Sequence, residues 1–158
     1  MSSLGINTTY VGDAGASALA AALGRGALPR LKQLVLTDTA ISDAGMVALA
    51  PALRRLPALE FLVLVGNPFG DEGLTALVAP PPPTGALSTP TGVLRKLKHL
   101  ILRRTQVANA GCAALAAAFE SGVLPSLEVL DLSHIPASAA AKAALKARIP
   151  AGSDCDVY

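Results

Sequence analysis

One phrase recurs along this chain with its hydrophobic residues in fixed register. It reads LKQLVLTDTAISDAG at 31–45, LEFLVLVGNPFGDEG at 59–73 and LKHLILRRTQVANAG at 97–111. MSSLGINTTYVGDAG at 1–15 is the same phrase with Met1 in the first leucine slot, and LEVLDLSHIP at 127–136 is a shortened copy. The first-slot residues Met1, Leu31, Leu59, Leu97 and Leu127 stand 30, 28, 38 and 30 residues apart. A period near 30 is the signature of a solenoid, in which each unit completes its core only against its neighbours. The expected fold is therefore an α/β repeat array of about five units rather than a single closed core.

Each column of the repeat has a physical role. Leu4, Leu34, Leu62, Leu100 and Leu130 form one leucine column, and Ile6, Leu36, Leu64, Leu102 and Leu132 form the next. Leu34 and Leu36 flank Val35, so alternation sends the leucines to one face of a strand and the valine to the other. A column of Thr9, Thr39, Asn67, Thr105 and Ile135 follows, suited to hydrogen-bonding backbone groups as the chain leaves the strand. Val11, Ile41, Phe69 and Val107 come next, and glycine closes the phrase at Gly15, Gly45, Gly73 and Gly111. Asp13, Asp43, Asp71 and Asn109 sit two residues before the glycine, where they are expected to cap the helix that begins there. The helices read AGASALAAALG, AGMVALAPALR and AGCAALAAAFE. Leu19 and Leu23, Leu49 and Leu53, and Leu115 and Phe119 are spaced i,i+4 on one face. Leu28, Leu56, Leu94 and Leu124 close the units, three of them before Pro29, Pro57 and Pro125.

The pattern LxxLxLxx(N/T)xI, followed by GDxGxxALAxAL and an LP exit, resembles the ribonuclease-inhibitor type of leucine-rich repeat over about positions 1–148. That resemblance implies a short curved horseshoe with a parallel β-sheet on its concave face and helices on its convex face. It also implies a protein–protein interaction module. Some members of the family, such as the activators of the nuclear-transport GTPase Ran, stimulate a partner enzyme, so regulation of a small GTPase is one alternative, and a structural or truncated repeat fragment without independent function is the other. No residue of this chain matches a functional residue of a particular subfamily.

Composition narrows the function classes. Thirteen basic and eleven acidic side chains leave a formal net charge of +2, a balance that argues against nucleic acid as the main partner. No uninterrupted apolar stretch reaches 18 residues, so no membrane span is expected. Two distant cysteines, Cys112 and Cys155, suit a reduced, cytoplasmic protein. GDAG, SDAG and GDEG lack the GK[ST] ending of a phosphate loop and recur as repeat structure. No paired carboxylates, serine triad or dinucleotide fingerprint appears, so no catalytic residue, cofactor or metal site is assigned and the chain is not read as an enzyme. His99 and His134 lie three places apart in the repeat, a poor arrangement for a shared metal. Cys112 reads as a small core side chain.

The solenoid is expected over 1–150, with a Pro-rich insertion, PPPPTGALSTPTG, at 80–92 and a polar tail at 151–158. Pro80 and Pro81 fall where the preceding copy has Ala52 and Leu53, so the helix near Gly73 should end early. A polyproline recognition segment is a second reading of the insertion. The stretch around 137–150 supplies a last helix, with Lys142, Lys146 and Arg148 towards its carboxyl end and Pro150 stopping it. Because the first repeat opens on a strand without a polar cap, the chain is expected to belong to a longer repeat protein, or else to form a homo-oligomer through that repeat.

Partner-binding candidates are the strand residues that point away from the leucine core. Gln33, Phe61, His99 and Val129 follow Ser3 in one column, and Val35, Val63, Ile101 and Asp131 follow Gly5 in the next. Thr37, Val65, Arg103 and Ser133 follow Asn7, and Asp38, Gly66, Arg104 and His134 follow Thr8. The interaction surface is therefore expected to comprise Gln33, Val35, Asp38, Phe61, Val63, Val65, His99, Ile101, Arg103, Arg104, Asp131 and His134. Its middle is apolar and its flank is rich in arginine and histidine, a mixture typical of an interface hot spot. The competing explanation is that small aliphatics on a parallel sheet simply favour strand formation. Asp131 and Arg103 occupy adjacent repeats and are expected to pair.

Overall fold

The computed structural model describes residues 3–7, 10–26, 30–54, 56, 58–78, 94, 96–120, 124, 126–149 and 156–157. Strand and helix alternate throughout. They are β1 Ser3–Asn7, α1 Gly12–Gly24, β2 Gln33–Thr37, α2 Asp43–Arg54, β3 Phe61–Val63, α3 Asp71–Val78, β4 His99–Ile101, α4 Asn109–Glu120, β5 Val129–Asp131, α5 Ala139–Arg148 and β6 Asp156–Val157. The strands form one sheet in the order β1-β2-β3-β4-β5-β6, every pair parallel. The register follows the sequence repeat. Leu4 faces Leu34, Leu34 faces Leu62, Leu62 faces Leu100 and Leu100 faces Leu130.

Helices pack in the same serial order, α1 on α2, α2 on α3, α3 on α4 and α4 on α5. Neighbouring strands are about 4.8 Å apart, whereas packed helices need about 8–10 Å. Stacking one strand and one helix per unit therefore curves the array, with the sheet on the inner side. The core lies between the two layers. Leu34, Leu62, Leu100 and Leu130, and Leu36, Leu64, Leu102 and Leu132, are fully buried there. So are Ile41, Phe69 and Val107 in the turns. On the helices, Leu23, Leu49, Leu53, Leu115 and Phe119 are buried and Leu19 is half-buried against the same cluster.

Local features mark where units differ. Pro51 lies inside α2 on its exposed side, and the helix continues to Arg54. α3 is described over eight residues, Asp71–Val78, and the early end expected from the prolines at 80 and 81 lies outside the described residues. The insertion at 80–92 itself, like Met1, Thr8, Thr9 and Leu28, lies outside the described residues. α5 starts on Ser138, whose hydroxyl accepts from the Ala141 N–H at 3.1 Å, and carries Lys146 and Arg148 in its last turn. The tail expected at 151–158 contributes more than a tail. Asp156 and Val157 pair with Val129 and Leu130 as a sixth parallel strand. Two residues carry too little periodicity to announce a strand, and the free edge of β5 supplies its partner.

Candidate interaction surface

The strand-to-helix turns set the frame of the sheet, and they are locked between repeats. Asn67, 1% exposed, accepts at Oδ1 from the Thr39 N–H at 3.1 Å, the Thr39 hydroxyl at 2.8 Å and the Ile41 N–H at 3.2 Å. Its Nδ2 donates to the Leu36 carbonyl at 2.6 Å. One buried amide thus satisfies the turn of the preceding unit. Thr105 in the same column turns on its own unit instead, donating to the Leu102 carbonyl at 2.9 Å.

The acidic column caps helices, but not its own. Asp43 and Asp71 are the first residues of α2 and α3, and Asn109 is the first of α4. A side chain inside its own first turn does not reach back to the amides there, and it points to the next unit. Asp13 Oδ1 accepts from Ser42 N–H at 2.8 Å and Gly45 N–H at 3.2 Å, and its Oδ2 accepts from the Ser42 hydroxyl at 2.5 Å. Asp43 Oδ1 accepts from Gly70 N–H at 2.7 Å and Gly73 N–H at 2.9 Å. Asp71 Oδ1 accepts from Ala108 N–H at 2.7 Å and Gly111 N–H at 2.8 Å, and Asn109 Oδ1 accepts from Ser138 N–H at 2.8 Å. The expectation of a cap within each unit is corrected to a staircase of caps from one unit to the next. Hydrogen bonds from the Ser42 side chain, then its backbone, hold the Asp13 carboxyl below its ordinary range. The glycines make room for these contacts. A Cβ at Gly45 would lie 2.5 Å from Asp13 Oδ1, one at Gly73 2.7 Å from Met46 Cβ, and one at Gly111 2.6 Å from Asp71 Oδ1.

On this frame the concave face carries four rows. Gln33, Phe61, His99 and Val129 are direct neighbours across β2 to β5, as are Val35, Val63, Ile101 and Asp131. Phe61 and His99 stack with ring centroids 4.4 Å apart and planes 14° from parallel. His99 Nδ1 is buried and has no hydrogen-bond partner among the described residues. Val65 and Arg103 lie in the turns beyond the strands, with Ser133 in the equivalent turn.

Exposure separates the twelve expected residues into two groups. Val35, Phe61, Val63, Val65, His99, Ile101 and Asp131 are half-buried, while Gln33, Asp38, Arg103, Arg104 and His134 are exposed. The apolar stripe is thus partly shielded rather than openly exposed, because side chains on adjacent strands cover one another's flanks. The expected Arg103–Asp131 pair forms, with Nε to Oδ2 at 3.7 Å. A second pair, Arg104 Nη1 to Asp38 Oδ1 at 4.0 Å, spans two repeats. Gly66 lies between them, and a Cβ there would collide with the Asp38 carboxylate. Asp38, Gly66, Arg104 and His134 all have positive φ, at 51°, 72°, 56° and 60°. Their backbone amides are drawn across the sheet, Asp38 N–H to the Val65 carbonyl, Gly66 N–H to that of Arg103 and Arg104 N–H to that of Ser133.

Reading columns one at a time missed the Phe61–His99 stack and the Asp38–Arg104 bridge, although adjacency of aromatic residues in one column signalled the first. It also passed over the row Lys32, Glu60, Lys98 and Glu128, where charge alternates from strand to strand. On the convex side, α4 and α5 leave an open groove of about 180 Å³ lined by Asn109, Cys112, Ala113, Ala116, Ala141, Ala144, Leu145 and Arg148. Cys112 is buried there, and burial pushes its thiol up, as befits a core side chain rather than a nucleophile. Arg54 on α2 reaches the Ala76 carbonyl at 3.3 Å, and burial lowers its guanidinium pKa. Among the described residues no helix is long and apolar enough to cross a membrane, and no group of three or more His, Cys, Asp or Glu side chains is placed to hold a metal.

A family model described as Leucine Rich repeat matches residues 28–50, 56–78 and 93–116, three successive strand-and-helix units. The chain is a leucine-rich repeat protein. It is similar to the mouse (Mus musculus) NACHT, LRR and PYD domains-containing protein 4C, at 37% identity over 86 residues. That alignment covers 54% of this chain and 8% of the mouse protein, so the likeness is to a small part of a much longer molecule. Leucine-rich repeats generally serve protein–protein interaction.

Proposed function

We propose that this chain binds a protein partner through its concave face, and that it does so as part of a ribonuclease-inhibitor-like repeat array rather than as a catalyst. The observation that carries this reading is the Phe61–His99 stack at the centre of an apolar stripe, flanked by Arg103 and Arg104. Aromatic and arginine side chains dominate the energetics of protein interfaces, and a desolvated aromatic centre with a charged rim is their usual arrangement. The parallel sheet supplies a rigid base, so little ordering accompanies binding.

The test is capture from a lysate of source cells by the intact chain, compared with two variants. Phe61→Glu combined with Arg104→Glu alters the concave face, and Val47→Glu alters an exposed position on α2. The expected result is a stoichiometric partner retained by the wild type and by Val47→Glu and lost by the double variant, with all three equally folded by circular dichroism. Equal capture by the double variant would reject the concave face as the binding surface.

A further inference from the structure

Two guanidinium groups at the end of the apolar stripe have more hydrogen-bonding capacity than the described residues use. Among the described residues, Arg103 meets Asp131 through Nε at 3.7 Å and Arg104 meets Asp38 through Nη1 at 4.0 Å. Both separations exceed hydrogen-bond length, yet each guanidinium offers five N–H donors in a planar fork. Of the two facing acids, Asp131 is the more committed. Asp131 Oδ1 already accepts from the Ser133 N–H at 2.9 Å and the Ser133 hydroxyl at 2.6 Å. Its side chain is 17% exposed against 47% for Arg103, and that of Asp38 is 40% exposed against 62% for Arg104. Unused donors therefore outnumber unused acceptors on this flank, and they face solvent.

Backbone conformation adds a second observation. Arg104 sits at φ 56°, in the left-handed region, where the adjacent unit has Gly66 at φ 72°. Glycine holds that conformation without steric cost and arginine does not. Asp38 and His134 hold the same left-handed conformation at φ 51° and 60°, so the turn geometry common to these units sets it and fixes where the Arg104 side chain leaves the edge of the sheet.

We propose that the concave face takes an acidic segment of a partner protein, with an apolar side chain against Phe61, Val63 and Ile101 and carboxylates on Arg103 and Arg104. This rests on the protein-binding reading above and supplies the partner's chemistry. Carboxylates match the guanidinium fork, and two neighbouring forks accept two acids or one acid bidentately. Asp38 reaches over Gly66 towards Arg104 at 4.0 Å, a weak exposed pair that a better-placed carboxylate displaces.

The probe is a fluorescein-labelled peptide of Glu-Glu-Leu repeated four times, with versions in which Gln or Lys replaces every Glu, titrated by the intact chain in fluorescence anisotropy. The Glu peptide is expected to bind at least tenfold more tightly than the Gln peptide, with a preference that shrinks as salt is raised. Arg103→Gln with Arg104→Gln should bring the Glu and Gln peptides to equal affinity, and Asp38→Asn should tighten the Glu peptide a few-fold. Failure of the Glu peptide to bind, equal binding of Glu and Gln peptides to the wild type, or tighter binding of the Lys peptide would each overturn the proposal. Lysate capture separates this failure from that of the broader reading. Capture lost with Phe61→Glu but indifferent to the double arginine substitution rejects the acidic segment and leaves concave-face binding standing. Capture indifferent to Phe61→Glu rejects both.

Discussion

The strand-to-helix turns and the concave face both carry polar side chains at repeat positions, yet the two regions use them differently. In the turns, Asn67 engages two backbone amides, one hydroxyl and one carbonyl of the preceding unit, and each of Asp13, Asp43 and Asp71 closes two amides of the following one. On the concave face, His99 Nδ1 has no partner among the described residues, and Arg103 and Arg104 approach their acids at 3.7 and 4.0 Å. A polar group that completes its neighbour's backbone is part of the fold. One that the fold leaves incomplete is available to something else. The difference predicts that substitutions in the turns cost stability and that substitutions on the sheet face cost recognition.

The largest effect on stability should come from Asn67→Ala. It leaves the Thr39 and Ile41 amides and the Leu36 carbonyl without their partner in the core, and about 3–4 kcal/mol of loss is expected from urea unfolding. A loss below about 1 kcal/mol would break the comparison on the turn side. Next is Gly73→Ala, whose added methyl meets Met46 Cβ at 2.7 Å and forces α2 and α3 apart, for about 1–3 kcal/mol. Asp43→Ala removes the cap on the Gly70 and Gly73 amides and should cost about 1 kcal/mol. The sheet face should respond in the opposite sense. Arg104→Gly relieves a left-handed arginine, so its melt should stay level or rise by the equivalent of up to about 1 kcal/mol while binding falls. A marked loss of stability there would show that the arginine serves the fold.

Acid sharpens the same contrast. The Asp13 carboxyl is lowered from 3.8 in the folded state by its Ser42 hydrogen bonds. A group depressed on folding contributes stability that is fully present above its unfolded value and is lost as pH falls through the folded one. The intact chain should therefore lose stability as pH drops below about 4, and Asp13→Asn should show a shallower decline over that interval in pH-dependent melts.

Much of the fold was legible in sequence because its rules are periodic. The leucine columns give the register of the sheet directly. The direction of the caps was not legible. Asp two residues before Gly is compatible with capping its own helix or the next, and only the start of α2 at Asp43 itself decides it. β6 was not legible either, since two residues have no pattern of their own. On the candidate surface, column positions followed from alternation and the Arg103–Asp131 pair from adjacency. The Asp38–Arg104 bridge did not, because it skips a unit and depends on the absent side chain of Gly66.

The most direct measurement is site-specific photo-crosslinking of the intact chain in lysate, with a benzophenone side chain placed in turn at Val63 on β3 and at Val47 on α2. The account predicts a discrete adduct with one partner protein from position 63 and none from position 47. An adduct from position 47 alone, or equal labelling from both, would contradict a binding surface on the concave face.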